Sequence, residues 1–378
     1  MPKCEGHDPK PQTWLPTELM FCEVCGLAQL GYIPDQGIAF PEDYPYRSGA
    51  TPALRRNFEE LAVNANHVVQ LGHGTLVVDI GSNDGTLLEC FGQQQNKLGI
   101  EPTVAAFDAI KKGINTEKLF FGNSTAHDIR NTYGQAKLIT CANCFAHMPN
   151  IHDVIEGIKT LLRDDGIFVS ESHYLIDLIN KLQYDTIYAE HLRYYTVHSI
   201  VNLLNKHGLQ VFKVDRIPTH GGSIRVYAKK GTQGSVTLQL ATALRFYIDE
   251  VGGTILMDRL YKFAAKVQAS KLKLLEHLAF IKSLGGNIVG IGAPSRASTV
   301  INYARLDSGI IDYICEQSHS DKLGRFMPGT DIPVVDEKRL YDEQPTATIL
   351  FSWHLAETLI PNLRAKGYRG EIILPCET

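Results

Sequence analysis

Short apolar runs that stop at a glycine or an acidic residue recur along this chain, separated by segments long enough for helices. The sharpest is Leu76-Val77-Val78-Asp79-Ile80, followed by Gly81-Ser82-Asn83-Asp84-Gly85 and a helix-forming Thr86-Leu87-Leu88-Glu89. That order predicts a buried strand, a glycine-rich loop and a helix. Similar runs lie at 98–101, 138–142 and 167–170, and 151–162 has the length of a helix between two of them. Alternating units of this kind build a parallel, doubly wound sheet that takes its ligands at the carboxyl ends of its strands. Upstream, residues 57–63 open an amphipathic helix.

A second series begins after a long, charged, helix-forming stretch at about 238–284. Residues 287–292 read as strand into glycine-rich turn, 295–303 as helix, and 310–314, 347–351 and 371–374 as further buried strands. The expected fold is α/β throughout. A small N-terminal knuckle and lid region spans 1–50, a first α/β domain 51–232, and a second α/β domain 233–378.

Composition narrows this frame. A net charge of −4 from 37 basic and 41 acidic residues lacks the electrostatic footprint of a nucleic-acid binder. No apolar run reaches the roughly 18 residues that span a bilayer, and Met1-Pro2-Lys3-Cys4-Glu5 lacks the apolar core of a signal peptide. A cytoplasmic protein without membrane partners is expected. Both halves and the knuckle can pack within one chain, which favours a monomer.

Three of the eight cysteines fall in the first 25 residues. In a reducing compartment such crowding points to metal rather than disulfides. Cys22-Glu23-Val24-Cys25 runs into Gly26, the tight turn of a zinc knuckle, and Cys4-Glu5-Gly6-His7 offers a second pair at the same spacing. Cys4, His7, Cys22 and Cys25 would close a tetrahedral zinc site with no position left for water, hence a structural one. Cys141 and Cys144 repeat the spacing at the end of an apolar strand and read as packing.

The loop after Asp79 admits two cofactor classes. A dinucleotide needs a glycine where Asn83 stands, and Asp84 would oppose a pyrophosphate. S-adenosylmethionine (SAM) carries no phosphate and bears a sulfonium, with which Asp79 and Asp84 are compatible. Gly81, Asn83 and Gly85 shape the loop, Glu101 is spaced to accept both ribose hydroxyls, and Asn143 ends the later strand that faces it.

Two histidine-bearing segments follow. Asn143-Cys144-Phe145-Ala146-His147-Met148-Pro149 sits at the carboxyl edge of a strand. Tyr184 to Tyr195 is dense in Tyr, His and carboxylate, and its apolar content is too low for a core element. Within it Tyr188, Glu190 and His191 supply a phenol donor, an orienting carboxylate and a base.

These segments resemble the Tyr-x-Glu-His-x-x-Tyr-Tyr signature of the sugar C-methyltransferases that act on nucleotide-linked 4-keto-deoxysugars. The resemblance extends over the 21–30 knuckle, the 79–85 loop, 143–149, 184–195, His220-Gly221-Gly222-Ser223-Ile224-Arg225-Val226, Gly292-Ala293-Pro294-Ser295-Arg296 and 324–330. The chain departs from the family at His7, where a cysteine is usual, and at Ser295-Arg296-Ala297, where the family has Ala-Lys-Gly. The resemblance implies a zinc-binding N-terminus, a class I, Rossmann-like methyltransferase core, and a second Rossmann-like domain that helps to hold a nucleotide sugar, dTDP-linked by preference. It further implies that His191 removes the proton α to the ketone and that Glu190 orients it or contacts the sugar. Tyr188 and His147 would hydrogen-bond the keto oxygen or nearby hydroxyls, and a tyrosine of Tyr44-Pro45-Tyr46, Tyr46 before Tyr44, would close over the site. His220 faces the sugar on this reading, while Arg296, Lys322 and Arg325 meet the phosphates, with Trp353 and His354 as weaker candidates for base or ribose contacts. The rival expectations are a nicotinamide-dependent nucleotide-sugar oxidoreductase using the 290–295 turn, an oxygen or nitrogen methyltransferase, and a non-enzymatic binding module.

Overall fold

The computed structural model describes residues 13–231, 240–250 and 253–376. They form two compact units: residues 18–177 with 189–257, and residues 13–17 and 178–188 with 258–376. Among the described residues no helix is long and apolar enough to cross a membrane.

The first unit is built on a seven-stranded sheet. Its strands are β1 (Leu76–Ile80), β2 (Asn96–Ile100), β3 (Asn115–Glu117), β4 (Ala136–Ala142), β5 (Leu162–His173), β6 (Leu209–Ile217) and β7 (Ser223–Lys230). They pair in the order β3-β2-β1-β4-β5-β7-β6, parallel from β3 to β5, with β7 antiparallel to both its neighbours. The order reverses at β1/β4, so the loops after these two strands diverge and leave a crevice. Every residue of β1 is buried, as expected of a central strand covered on both faces.

Helix Pro52–Val69 covers one face of the sheet. Leu54, Phe58, Leu61, Ala62, Ala65 and Val69 recur at helical spacing and bury against Val77, Leu138, Val169 and Tyr227. Pro52 suits its first turn, where the missing N–H costs nothing. A small antiparallel sheet of Leu19–Phe21, Ala28–Leu30 and Arg193–Tyr194 joins the N-terminal region to the segment after His191.

Beneath the sheet an ion pair is sealed from solvent. Arg225 on β7 and Glu171 on β5 are 1% and 0% exposed, their side chains hydrogen-bonded to each other and both to Asn57. Burial pushes the Glu171 carboxyl up, and Arg225 and Asn57 oppose that push.

The second unit carries five parallel strands, β8 (Ile288–Ile291), β9 (Ile314–Glu316), β10 (Val334–Asp336), β11 (Ala347–Leu350) and β12 (Glu371–Ile373), in the order β10-β9-β8-β11-β12. The apolar run at 310–314 becomes strand only at Ile314. Residues before it form a turn in which the Ile310 and Ile311 amides donate to the Asp307 carbonyl. Ile311 and Tyr313 are buried nonetheless.

The 184–195 segment overturns an expectation. Tyr184, Asp185, Thr186, Leu192, Tyr194 and Tyr195 are buried; the Thr186 hydroxyl donates to the Gln183 carbonyl, while the Tyr184 and Tyr195 hydroxyls and Asp185 Oδ1 are buried without a hydrogen-bond partner among the described residues. Its first part packs with the second unit, where Tyr184 lies against Tyr303 and Asp185 accepts from Trp353 Nε1 at 2.7 Å.

Candidate active site

The glycine-rich loop follows β1 with a geometry other residues would not tolerate. Gly81 has φ +72°, and a Cβ there would lie 2.3 Å from Cys144 Sγ. The Gly81 and Ser82 amides both donate to the Ile100 carbonyl at the end of β2. Asn83 is also left-handed and donates its amide to Glu101 Oε2 at 2.9 Å. Glu101 Oε1 accepts from the amide and hydroxyl of Thr103, which fixes the carboxylate while leaving lone pairs for a ribose.

Residues 46–49 fold down onto this loop. The Ser48 amide donates to Asn83 Oδ1 at 2.9 Å, the Gly49 amide to Asp84 Oδ2 at 3.1 Å, and Asn83 Nδ2 to the Tyr46 carbonyl at 3.1 Å. Asp84 also accepts from the Thr86 hydroxyl, so its carboxylate organises the turn and the segment above it. Asp79 is buried on β1. Burial, reinforced by Glu101 and Glu171, pushes its carboxyl up to about 7, against the 2.7 Å hydrogen bond from Thr140.

Asn143, just beyond β4, adopts φ 55°. Its amide N–H donates to the Glu171 carbonyl, while both polar atoms of its side chain are buried with no partner among the described residues. Such atoms cost stability unless a ligand pairs them. A cradle of acids, a required glycine and an orphaned amide fits SAM, with its sulfonium, amino acid and ribose. It does not fit a pyrophosphate.

Four imidazoles line up beside this loop. His147 and His191 have ring centroids 4.9 Å apart, His191 and His173 4.8 Å, and His173 and His220 5.7 Å. His147 Nδ1 donates to the Glu190 carbonyl at 2.7 Å. Burial holds His147 below the ordinary imidazole range, opposed by the Glu190 and Asn143 carbonyls. It is therefore a neutral hydrogen-bonding group. Glu190 itself accepts from the Tyr44 hydroxyl at 2.8 Å, a bond that opposes the upward push of burial on its carboxyl. Phe40 packs edge-on against both His147 and Tyr44.

In the second unit the Gly292-Ala293-Pro294 turn is held from both sides. The Ala293 amide donates to Glu316 at 2.9 Å, and Lys322 donates to the Ala293 carbonyl at 2.7 Å. Burial holds the Lys322 amine below its usual range. Arg296 is 8% exposed, with Nε 3.5 Å from Asp185 and its guanidinium over the Trp353 ring. Arg296 Nη1 is buried without a partner among the described residues. Arg325 is half-buried, and Tyr188 is half-buried at the end of the segment that belongs to this unit.

Known proteins match this architecture in two blocks. A methyltransferase domain family matches residues 47–214, and a C-methyltransferase C-terminal domain family matches 218–376. The C-methyltransferase NovU of Streptomyces niveus is 29% identical over 353 residues, 93% of this chain and 83% of that protein. The chain belongs to the SAM-dependent C-methyltransferases. Its first unit is a class I methyltransferase core. Looser resemblances to solved structures include a SAM-dependent methyltransferase from Clostridium acetobutylicum (13% identity, 47% of this chain and 92% of that one, TM-score 0.38). Another is a SAM-dependent methyltransferase from Aquifex aeolicus (16%, 46% and 97%, TM-score 0.33).

In this C-methyltransferase His173 stands in none of the expected motifs, and Tyr46 is expected before Tyr44 to close over the site. The structure ties Tyr44 to Glu190, whereas Tyr46 is 43% exposed and reaches the loop through its backbone carbonyl. His173 ends a strand, where a lone histidine reads as an ordinary residue. Strand pairing brings them together: His173 is opposite Ser223, three residues from His220. Of the expected zinc ligands, Cys4 and His7 lie outside the described residues. Cys22 and Cys25 flank a turn closed by Gly26 N–H to the Cys22 carbonyl at 2.8 Å. Hydrogen bonds from the Cys25 backbone and thiol and from the Val24 backbone draw the Cys22 thiol down, while burial pushes the Cys25 thiol up. Among the described residues no cluster of three or more His, Cys, Asp or Glu forms a metal site.

Proposed function

We propose that this C-methyltransferase deprotonates the carbon next to the ketone of a nucleotide-linked 4-keto-deoxysugar, dTDP-linked by preference, and methylates it at C-3 or C-5. The observation that carries the reading is the convergence of His191, His147 and the Tyr44–Glu190 pair at the carboxyl edge of the methyltransferase sheet. A carbon beside a ketone becomes nucleophilic only after losing a proton. The site therefore needs a base near neutrality and donors for the developing enolate oxygen.

His191 is that base. Glu190, hydrogen-bonded by Tyr44, orients it or meets a sugar hydroxyl, and neutral His147 with Tyr188 supplies hydrogen bonds to the keto oxygen or its neighbours. Tyr46 screens the site from above. When bound, SAM supplies an electrophilic methyl group. Asp79, Gly81, Asn83, Asp84, Gly85, Glu101 and Asn143 would hold it, and positioning of the sugar carbon in line with the departing sulfur is the main task of the loop. His220 contacts the sugar.

The nucleotide portion is assigned to a Rossmann-like domain at 233–378, with Arg296, Lys322 and Arg325 toward the phosphates. Support comes from the unpartnered Arg296 Nη1 beside a glycine-rich turn. The methyltransferase domain is taken as 51–232 and the knuckle and lid as 1–50. Cys4, His7, Cys22 and Cys25 would hold a structural zinc, supported by the Cys22–Cys25 turn that the Gly26 amide closes on the Cys22 carbonyl. The enzyme is taken as a cytoplasmic monomer.

The test is product mass spectrometry with a panel of dTDP- and GDP-linked 4-ketosugars. A gain of one methyl on carbon with a dTDP-linked ketosugar is expected. Methyl transfer to oxygen or nitrogen alone, or to none of the panel, overturns the substrate assignment.

A further inference from the structure

Carbon methylation releases a proton. The C–H electron pair stays on carbon as the enolate, the enolate forms the new C–CH3 bond, and the S–CH3 electron pair returns to sulfur as a neutral thioether. The proton taken by the base is thus a stoichiometric product and must leave before the next turnover. This argument rests on His191 being the base. His191 is 6% exposed, and His147 beside it has its Nδ1 proton committed to the Glu190 carbonyl.

The rings on the other side of His191 are differently placed. His173 lies 4.8 Å away, centroid to centroid, at the last position of β5, and His220 lies 5.7 Å beyond it. Both are half-buried. The backbone is shaped to present His220. It sits at φ 53°, ψ 27° inside the turn Thr219–Gly221, a left-handed conformation that L residues adopt at a cost. The turn is completed by Gly222 at φ +133°, where a Cβ would lie 2.4–2.5 Å from the Asp177 side chain. Asp177 is pinned by two hydrogen bonds from Arg216, at 2.6 and 2.9 Å. Strain held in place by an ion pair and an obligatory glycine is the mark of a residue whose position matters.

We propose that His173 and His220 form an imidazole relay that carries the α-proton from His191 to solvent after each methyl transfer. In each hop one imidazolium N–H is given up and the next ring gains a proton, so charge and protons balance. The final acceptor is water or buffer. His173 acts on His191 and need not touch the sugar, so it is a relay and positioning residue.

The test compares wild type with His173→Phe, which keeps the ring volume without nitrogen, and His173→Gln, which keeps a hydrogen-bonding side chain that does not take up a proton. Single-turnover methyl transfer with enzyme in excess reads chemistry alone, and steady-state turnover also reads proton release. For both variants the single-turnover rate is expected to stay within about twofold of wild type, while steady-state turnover falls roughly tenfold or more and recovers on adding free imidazole. A melting-temperature rise with S-adenosylhomocysteine equal to that of wild type certifies the fold. Equal loss of both rates, no loss of either, or a steady-state loss that imidazole does not relieve overturns the relay. If wild type itself transfers no methyl to any ketosugar, or His191→Asn transfers at the wild-type rate, the base assignment fails instead.

Discussion

The Tyr44 hydroxyl donates to Glu190 Oε2 at 2.8 Å, joining two positions 146 residues apart in the chain. Burial pushes the Glu190 carboxyl up, and this bond is what opposes it. Tyr44→Phe therefore lets the pKa rise further, so Glu190 keeps its proton to higher pH. The acid limb of the pH–rate profile is expected to move alkaline, with kcat near neutrality falling roughly tenfold. Tyr46→Phe acts on cofactor affinity and leaves that limb in place.

Asp79 yields a stability prediction of definite sign. Its carboxyl is pushed up to about 7 in the folded chain from an ordinary value of 3.8, so between these the native state holds a proton that the unfolded state has lost. Its contribution is fully present below the unfolded value and is lost as pH rises through the folded one, at most about 4 kcal/mol. Asp79→Asn is expected to flatten the fall in melting temperature of the cofactor-free protein between pH 5 and 8. On the proposed function it also weakens SAM binding, measured by calorimetry, by removing a carboxylate proposed to hold the cofactor.

Gly81→Ala places a methyl 2.3 Å from Cys144 Sγ and 2.8 Å from its Cβ. Binding of S-adenosylhomocysteine is expected to drop tenfold or more, on the order of 1–3 kcal/mol for strain at a left-handed position plus overpacking. Adding Cys144→Ala removes the sulfur but not the Cβ contact, so recovery is partial. Full recovery would assign the effect to sulfur alone.

Breaking the Glu171–Arg225 pair is a test of the core. Arg225→Met strands a fully buried carboxylate, and urea denaturation is expected to show a loss of about 3–5 kcal/mol. The loss grows with rising pH, since Arg225 is among the groups that hold the Glu171 pKa down. The double change Glu171→Gln with Arg225→Met recovers most of it.

The zinc proposal predicts about one zinc per chain by elemental analysis of the full-length protein. Cys22→Ser with Cys25→Ser is expected to abolish the metal and lower the melting temperature. A metal-free wild type purified without chelator overturns the site.

Local physics made the architecture legible. The apolar runs at 76–80 and 138–142 are strands because a doubly covered sheet demands continuous burial. Gly81 and Gly85 mark the loop because the backbone there is left-handed. Asn83, where a dinucleotide loop needs glycine, and the charge of Asp84 argued against a pyrophosphate. The Tyr-x-Glu-His run marked the candidate catalytic segment because its residue types carry acid–base chemistry in so short a span.

What periodicity could not reach were relationships across long separations. Which tyrosine meets Glu190, the placing of His173 between His191 and His220, and the burial of Arg225 on Glu171 each depend on how β5, β7 and the segments around them come together in space. A half-polar segment such as 184–195 reads as exposed until its partners are known, because burial of polar groups depends on hydrogen bonds supplied from elsewhere in the chain. The sequence alone thus determined the elements, the cofactor loop and the chemical repertoire. Tertiary structure decided which of those groups touch, since contacts between residues far apart in the chain leave no local periodic trace.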